Sequence, residues 1–89
     1  MNLVAELSLY PLRDDPLITI ETFIRELRRV PGLTIRTNQM STQVSGEFDQ
    51  VTGAVNACLR NTMREQGRCV LVAKYLNAEV NLDEVPLIE

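Results

Sequence analysis

The sequence predicts an α+β fold, with two helices laid on one face of a four-stranded antiparallel sheet. Three observations carry this prediction. Apolar residues alternate with period two in short runs, they recur at helical spacing in two longer runs, and the runs follow the order β-α-β-β-α-β. At 89 residues the chain has the length of one domain, with a core at about residues 3–76 and an acidic tail at 77–89. A domain this short buries only about 60–65% of its unfolded surface, so oligomerisation is an expected source of added stability.

From Asn2 to Tyr10, Leu3, Ala5, Leu7 and Leu9 point one way and Glu6, Ser8 and Tyr10 the other, the pattern of a half-buried strand. With Thr19 as the predicted N-cap, Ile20, Phe23, Ile24, Leu27 and Val30 form the stripe of an amphipathic helix that stops at Pro31-Gly32. Leu33 to Asn38 alternates again. Ser41 to Gly46 is polar but holds the β-favouring Thr42 and Val44 before Gly46 breaks it, and the two runs predict a hairpin. A second helix starts from Asp49 as N-cap, carries Val51, Ala54, Val55, Cys58, Leu59, Thr62 and Met63, and ends at Gly67. Arg68 to Leu76 supplies a fourth, more fully apolar strand, and Pro86 argues against a central strand in the tail. This order is the split βαβ of ferredoxin-like folds. The sheet face away from the helices is expected to be polar, carrying Glu6, Ser8, Tyr10, Arg36, Asn38, Gln43 and Ser45.

Composition excludes several function classes. With no histidine, Ser–His and Cys–His nucleophilic sites and most transition-metal sites are ruled out. Cys58 and Cys69 lack the spacing of a redox or zinc pair and read as ordinary buried thiols. A net charge of −3 disfavours phosphate backbones, so nucleic acid is not an expected partner and a cationic or neutral ligand fits better. The longest apolar stretch, Cys69 to Ala73, falls far short of the roughly 20 residues that cross a bilayer, so no membrane insertion is expected. The start of the chain lacks a basic region ahead of an apolar core, and a cytoplasmic location is the default expectation. No phosphate loop, calcium loop or nucleophile elbow is present, and no cofactor, metal or catalytic residue is expected.

Three stretches remain as candidates. Asp14-Asp15 reads either as a metal-binding or acid–base pair or as a solvated loop entering a helix. Tyr10 reads as a ring that stacks on a planar or cationic ligand, or as packing. In Asn38 to Ser45, six of eight side chains donate or accept hydrogen bonds. Such a strand suits recognition of a small heterocycle, and equally suits a solvated sheet face or a subunit contact.

The stretch SLYPLRDD, Ser8 to Asp15, followed by STQVSGEFDQV, Ser41 to Val51, resembles the YkoF-like family of thiamine- and hydroxymethylpyrimidine-binding proteins. The resemblance runs from about Leu3 to Leu76, anchored at Ser8, Leu9, Tyr10, Pro11, Asp14, Asp15, Ser41, Thr42, Gly46, Asp49 and Val51. It implies a ferredoxin-like domain that binds thiamine or its pyrimidine precursor without altering it, with uptake or salvage as the expected role. Tyr10 would then face the ring, Asn38, Ser41 and Thr42 would satisfy ring nitrogens and an amine, and Asp14 or Asp15 would attract the thiazolium charge. Members closest to the family name carry two tandem copies, which for this one-copy chain implies a homodimer or homotetramer. Some relatives have a glutamate where Ser45 stands and a histidine where Leu59 stands. The alternatives are a structural or regulatory assembly module without a ligand, and a dimeric enzyme using a cavity between sheet and helices, as small oxygenases do.

Overall fold

The computed structural model describes residues 1–85, 87 and 88. The Pro86 argument about the tail therefore lies outside the described residues. The elements are β1 (Asn2–Pro11), α1 (Pro16–Arg28), β2 (Thr34–Thr37), β3 (Thr42–Glu47), α2 (Phe48–Glu65) and β4 (Cys69–Leu76). The strands form one sheet in the order β2-β3-β1-β4, antiparallel throughout, which is the ferredoxin-like arrangement. Both helices cover the face to which β1 turns Leu3, Ala5 and Leu7. These meet Val44 of β3, Phe23 and Leu27 of α1, and Val51, Ala54, Val55 and Cys58 of α2 in the core.

Several local details depart from the expectations. Helix α1 begins at Pro16, not after Thr19, because proline in the first turn gives up no helical hydrogen bond and brings a helical φ with it. Thr19 is instead buried one turn in, its hydroxyl 3.4 Å from Gln66 Oε1. The N-cap of α2 is Glu47, whose carboxylate accepts from the backbone N–H groups of Asp49 (2.9 Å) and Gln50 (3.3 Å). Asp49 sits in the first turn, where its charge complements the helix dipole. Gly46 does not break β3 but lies within it. A Cβ there would stand 2.8 Å from Leu33 Cδ2, so glycine lets the turn after α1 pack onto the strand. Gly67 ends α2 as expected, at a φ of 94° that side chains rarely adopt.

The fourth strand is an edge strand. Leu71 and Ala73 are half-buried on the helix side, while Val70, Val72 and Leu76 are exposed on the other. The outer face is therefore not uniformly polar: an apolar strip runs along β4 and continues onto Tyr10, which pairs with Val70. The run is more fully apolar than the other strands, but only its helix-side residues have a layer of side chains to pack against. Asn38, placed by alternation on that outer face, belongs to the turn between β2 and β3.

The acidic tail crosses the outer face. Asn2 Nδ2 donates to the carbonyl of Ala78 at 2.7 Å, and Arg36 forms a two-point ion pair with Asp83, Nη2 lying 2.9 Å from Oδ2. The tail thus runs from β4 past β1 to β2, and Val4, whose side chain points outward, is left only 9% exposed.

Candidate functional site

The strands differ in length, and the difference makes a cleft. Pairing of β1 with β3 ends at Leu7↔Thr42, whereas pairing with β4 continues to Pro11↔Cys69. Beyond Leu7 the β3-side edge of β1 therefore has no strand beside it. The chain between β2 and β3 turns back at this level, and α1 closes the helix side. Between them lies a cleft of about 270 Å³, near the lower end of the range for small-molecule sites. A single ring with small substituents fits that scale; a nucleotide does not.

The floor is apolar: Ile20, Phe23 and Ile24 from α1, with Leu7 and Leu9 from β1. Ser8 and Tyr10 form one wall, and Thr37 to Thr42 form the other. Of the six residues singled out in the sequence, Tyr10, Asn38, Ser41 and Thr42 line this cleft. Asp14 and Asp15 do not. They are exposed in the connection from β1 to α1, Asp15 at the N-cap position, where an acidic residue complements the helix dipole. Among the described residues no group of acidic and cysteine side chains is arranged to hold a metal ion.

The polar wall is tightly bonded. Asn38 Oδ1 accepts from the backbone N–H groups of Met40 (2.8 Å) and Ser41 (3.0 Å), and Asn38 N–H donates to the Ser41 carbonyl at 3.0 Å. This is an Asx-type turn, which local asparagine chemistry favours. The hydroxyls of Thr42 and Thr37 lie 3.1 Å apart across the hairpin, on the helix side. Ser41 points the other way: its hydroxyl donates to Glu6 Oε2 at 3.0 Å and accepts from Gln43 Nε2 at 2.7 Å. Lys74 approaches the other oxygen of Glu6 at 3.2 Å. Hydrogen bonds from Ser41, Lys74 and Gln43 hold the Glu6 carboxyl below its ordinary pKa. The residues Ser41 and Thr42, read together as one hydroxyl-bearing strand, thus serve opposite faces of the sheet and meet only at its end.

Sequence reasoning assigned Ile20, Phe23 and Ile24 to the core, and Phe23 is indeed buried, but Ile20 and Ile24 are only half-buried because they border the cleft. The available signal was length: the first alternation spans nine residues, Asn2 to Tyr10, and the third only six, Ser41 to Gly46, so one must overhang the other. Both cysteines are away from the cleft. Burial, with a smaller contribution from Glu26, pushes the Cys58 thiol up, and burial alone raises Cys69.

The sequence matches no protein-family model. No curated protein matches it either. Solved structures do share the fold. A Streptococcus pneumoniae protein superposes with a TM-score of 0.81 at 22% identity, covering 90% of each chain. A Thermotoga maritima protein described as a "putative thiamine biosynthesis/salvage protein" superposes at 0.80 with 17% identity, covering 93% of this chain and 92% of its own. A Bacillus cereus domain of unknown function, DUF77, does so at 0.74 with 16% identity, covering 93% and 85%. At these identities the likeness is one of fold.

Proposed function

We propose that the protein binds the pyrimidine part of thiamine, its free hydroxymethylpyrimidine precursor or a similar small heterocycle, without transforming it. The observation that carries this reading is the cleft at the sheet end. It has an apolar floor for a flat ring, a tyrosine at its edge, and a wall of Asn38, Ser41 and Thr42 on a rigid hairpin. The thiamine-related description of one structural neighbour supports the choice of ligand. Among the residues of the lining no carboxylate, amine or thiol is available as a general base. That lining favours binding over catalysis. It also favours the neutral pyrimidine ring as the group held, since Asp14 and Asp15 stand outside the cleft.

The strip of Val70, Val72, Leu76 and Tyr10 favours a second role, assembly of copies through the outer face or the β4 edge. Homodimerisation and ligand binding are compatible, because the strip and the cleft share only Tyr10. Thermal melts with hydroxymethylpyrimidine and with thiamine test the binding reading. A ligand at a hundred times its Kd stabilises the fold by about 2.7 kcal/mol, a plain rise in Tm. No rise at millimolar concentration of either compound overturns it and leaves the assembly module.

A further inference from the structure

We infer that the cleft continues along α1 into a cationic recess, and that the ring it takes is held more tightly when it carries a phosphate monoester. This deepens the binding proposal above and rests on it. Glu21, Ile24, Arg25 and Arg28 occupy positions i, i+3, i+4 and i+7 of α1 and so share one face of the helix. With Thr37 of β2 they line a recess of about 220 Å³. Ile24 and Thr37 also line the cleft, so the two spaces adjoin. A ring on the apolar floor would therefore direct a short substituent past Thr37 toward the last turn of α1.

The recess carries two guanidinium groups against one carboxylate. The ion pairs found among the described residues join Arg36 to Asp83 and Lys74 to Glu6, and neither involves Arg25 or Arg28. A guanidinium presents a planar fork of donors that matches phosphate oxygens. A phosphate monoester brings about −1.5 to −2 charge at pH 7 and three strong acceptor oxygens, which suit two forks better than the two oxygens of a carboxylate. The net charge of −3 disfavours nucleic acid, but a single phosphate responds to local charge, and in the recess the cations outnumber the carboxylate. Basic residues in the last turn of a helix also complement its dipole, whatever they face. Arg29, at the C-cap, serves that role as well but lies outside both the cleft and the recess, which makes it the control.

The test is calorimetric titration with hydroxymethylpyrimidine and with its phosphate monoester. The proteins are the parent, the double variant Arg25→Gln/Arg28→Gln, Glu21→Gln and Arg29→Gln. All four positions are exposed, and circular dichroism melts establish that each variant folds. At low salt the parent should prefer the monoester by about tenfold, and the preference should fall to within about threefold in about 0.5 M salt. The double variant should bring it to within about twofold, Glu21→Gln should raise it about two- to threefold, and Arg29→Gln should leave it unchanged. The salt series needs only the parent, so it decides the question even if a variant fails to fold. Equal affinity of the parent for both compounds, a preference indifferent to salt, a parallel loss of both compounds in the double variant, or an equal loss of preference in Arg29→Gln overturns the inference while the binding proposal stands. Failure of the parent to bind either compound at millimolar concentration overturns both.

Discussion

Thr42→Val separates a binding residue from a packing residue. Thr42 is 5% exposed and its hydroxyl has a protein partner in the Thr37 hydroxyl, 3.1 Å away. Valine keeps the shape and replaces the hydroxyl with a methyl. The lost hydrogen bond costs about 0.5–1.5 kcal/mol, and the buried methyl returns up to about 0.8 kcal/mol. Thr37 is exposed, so its hydroxyl turns to water and no buried group is orphaned. Stability should change by no more than about 1 kcal/mol, a Tm shift below about 8 °C for a domain of this size. Affinity for hydroxymethylpyrimidine should nevertheless fall by about two- to tenfold, because the cleft loses a polar group of its wall. Thr62→Val is the control: that threonine is equally buried, donating to the Cys58 carbonyl at 2.8 Å, but stands away from the cleft. Parallel melts and calorimetric titrations of the three proteins decide the matter. Unchanged affinity in Thr42→Val, or an equal loss in Thr62→Val, would refute the reasoning.

Other consequences follow from packing and charge. Gly46→Val should cost about 1–3 kcal/mol by overpacking against Leu33, read in urea melts, and adding Leu33→Ala should recover part of the loss. The Glu6 carboxyl binds its proton less readily in the fold than in the unfolded chain. Its contribution to stability is therefore complete above the ordinary glutamate value of about 4.3 and is lost as pH falls through the lower folded value. Melts of the parent and Glu6→Gln should differ at neutral pH and converge in acid below that range; a constant gap would contradict it. Thiol labelling at neutral pH should modify Cys69 before Cys58, since Cys58 is buried and Cys69 is half-exposed at the edge strand. Equal rates in the native state would show that α2 opens more readily than its packing allows.

The fold was legible because its periodicities are clean: Leu3, Ala5 and Leu7 alternate without interruption, and Phe23 and Leu27 keep helical spacing. Helix starts were less legible. Thr19 and Asp49 are good capping residues, but a proline in the first turn and a glutamate that folds back onto two backbone N–H groups set the true boundaries. Four of the six candidate site residues come together because the strand end and the hairpin turn are neighbours in any sheet of this order. The contacts of Glu6 with Ser41 and Gln43 were not legible because they depend on which residues stand opposite it, and register is not written in a single strand. Asp14 and Asp15 stand outside the cleft because the helix that follows sets their place: α1 brings Ile20, Phe23 and Ile24 to the cleft and leaves the loop before Pro16 exposed.

Central to the account is occupancy of the sheet-end cleft by a flat nitrogenous ring. An NMR titration of isotope-labelled protein with hydroxymethylpyrimidine reads this residue by residue. Amide shifts should concentrate at Ser8 to Tyr10, Asn38 to Thr42 and Ile20 to Ile24, and saturate together. Shifts gathered instead around Leu3, Phe48 and Tyr75, at the opposite end of the molecule, or none at millimolar ligand, would contradict it.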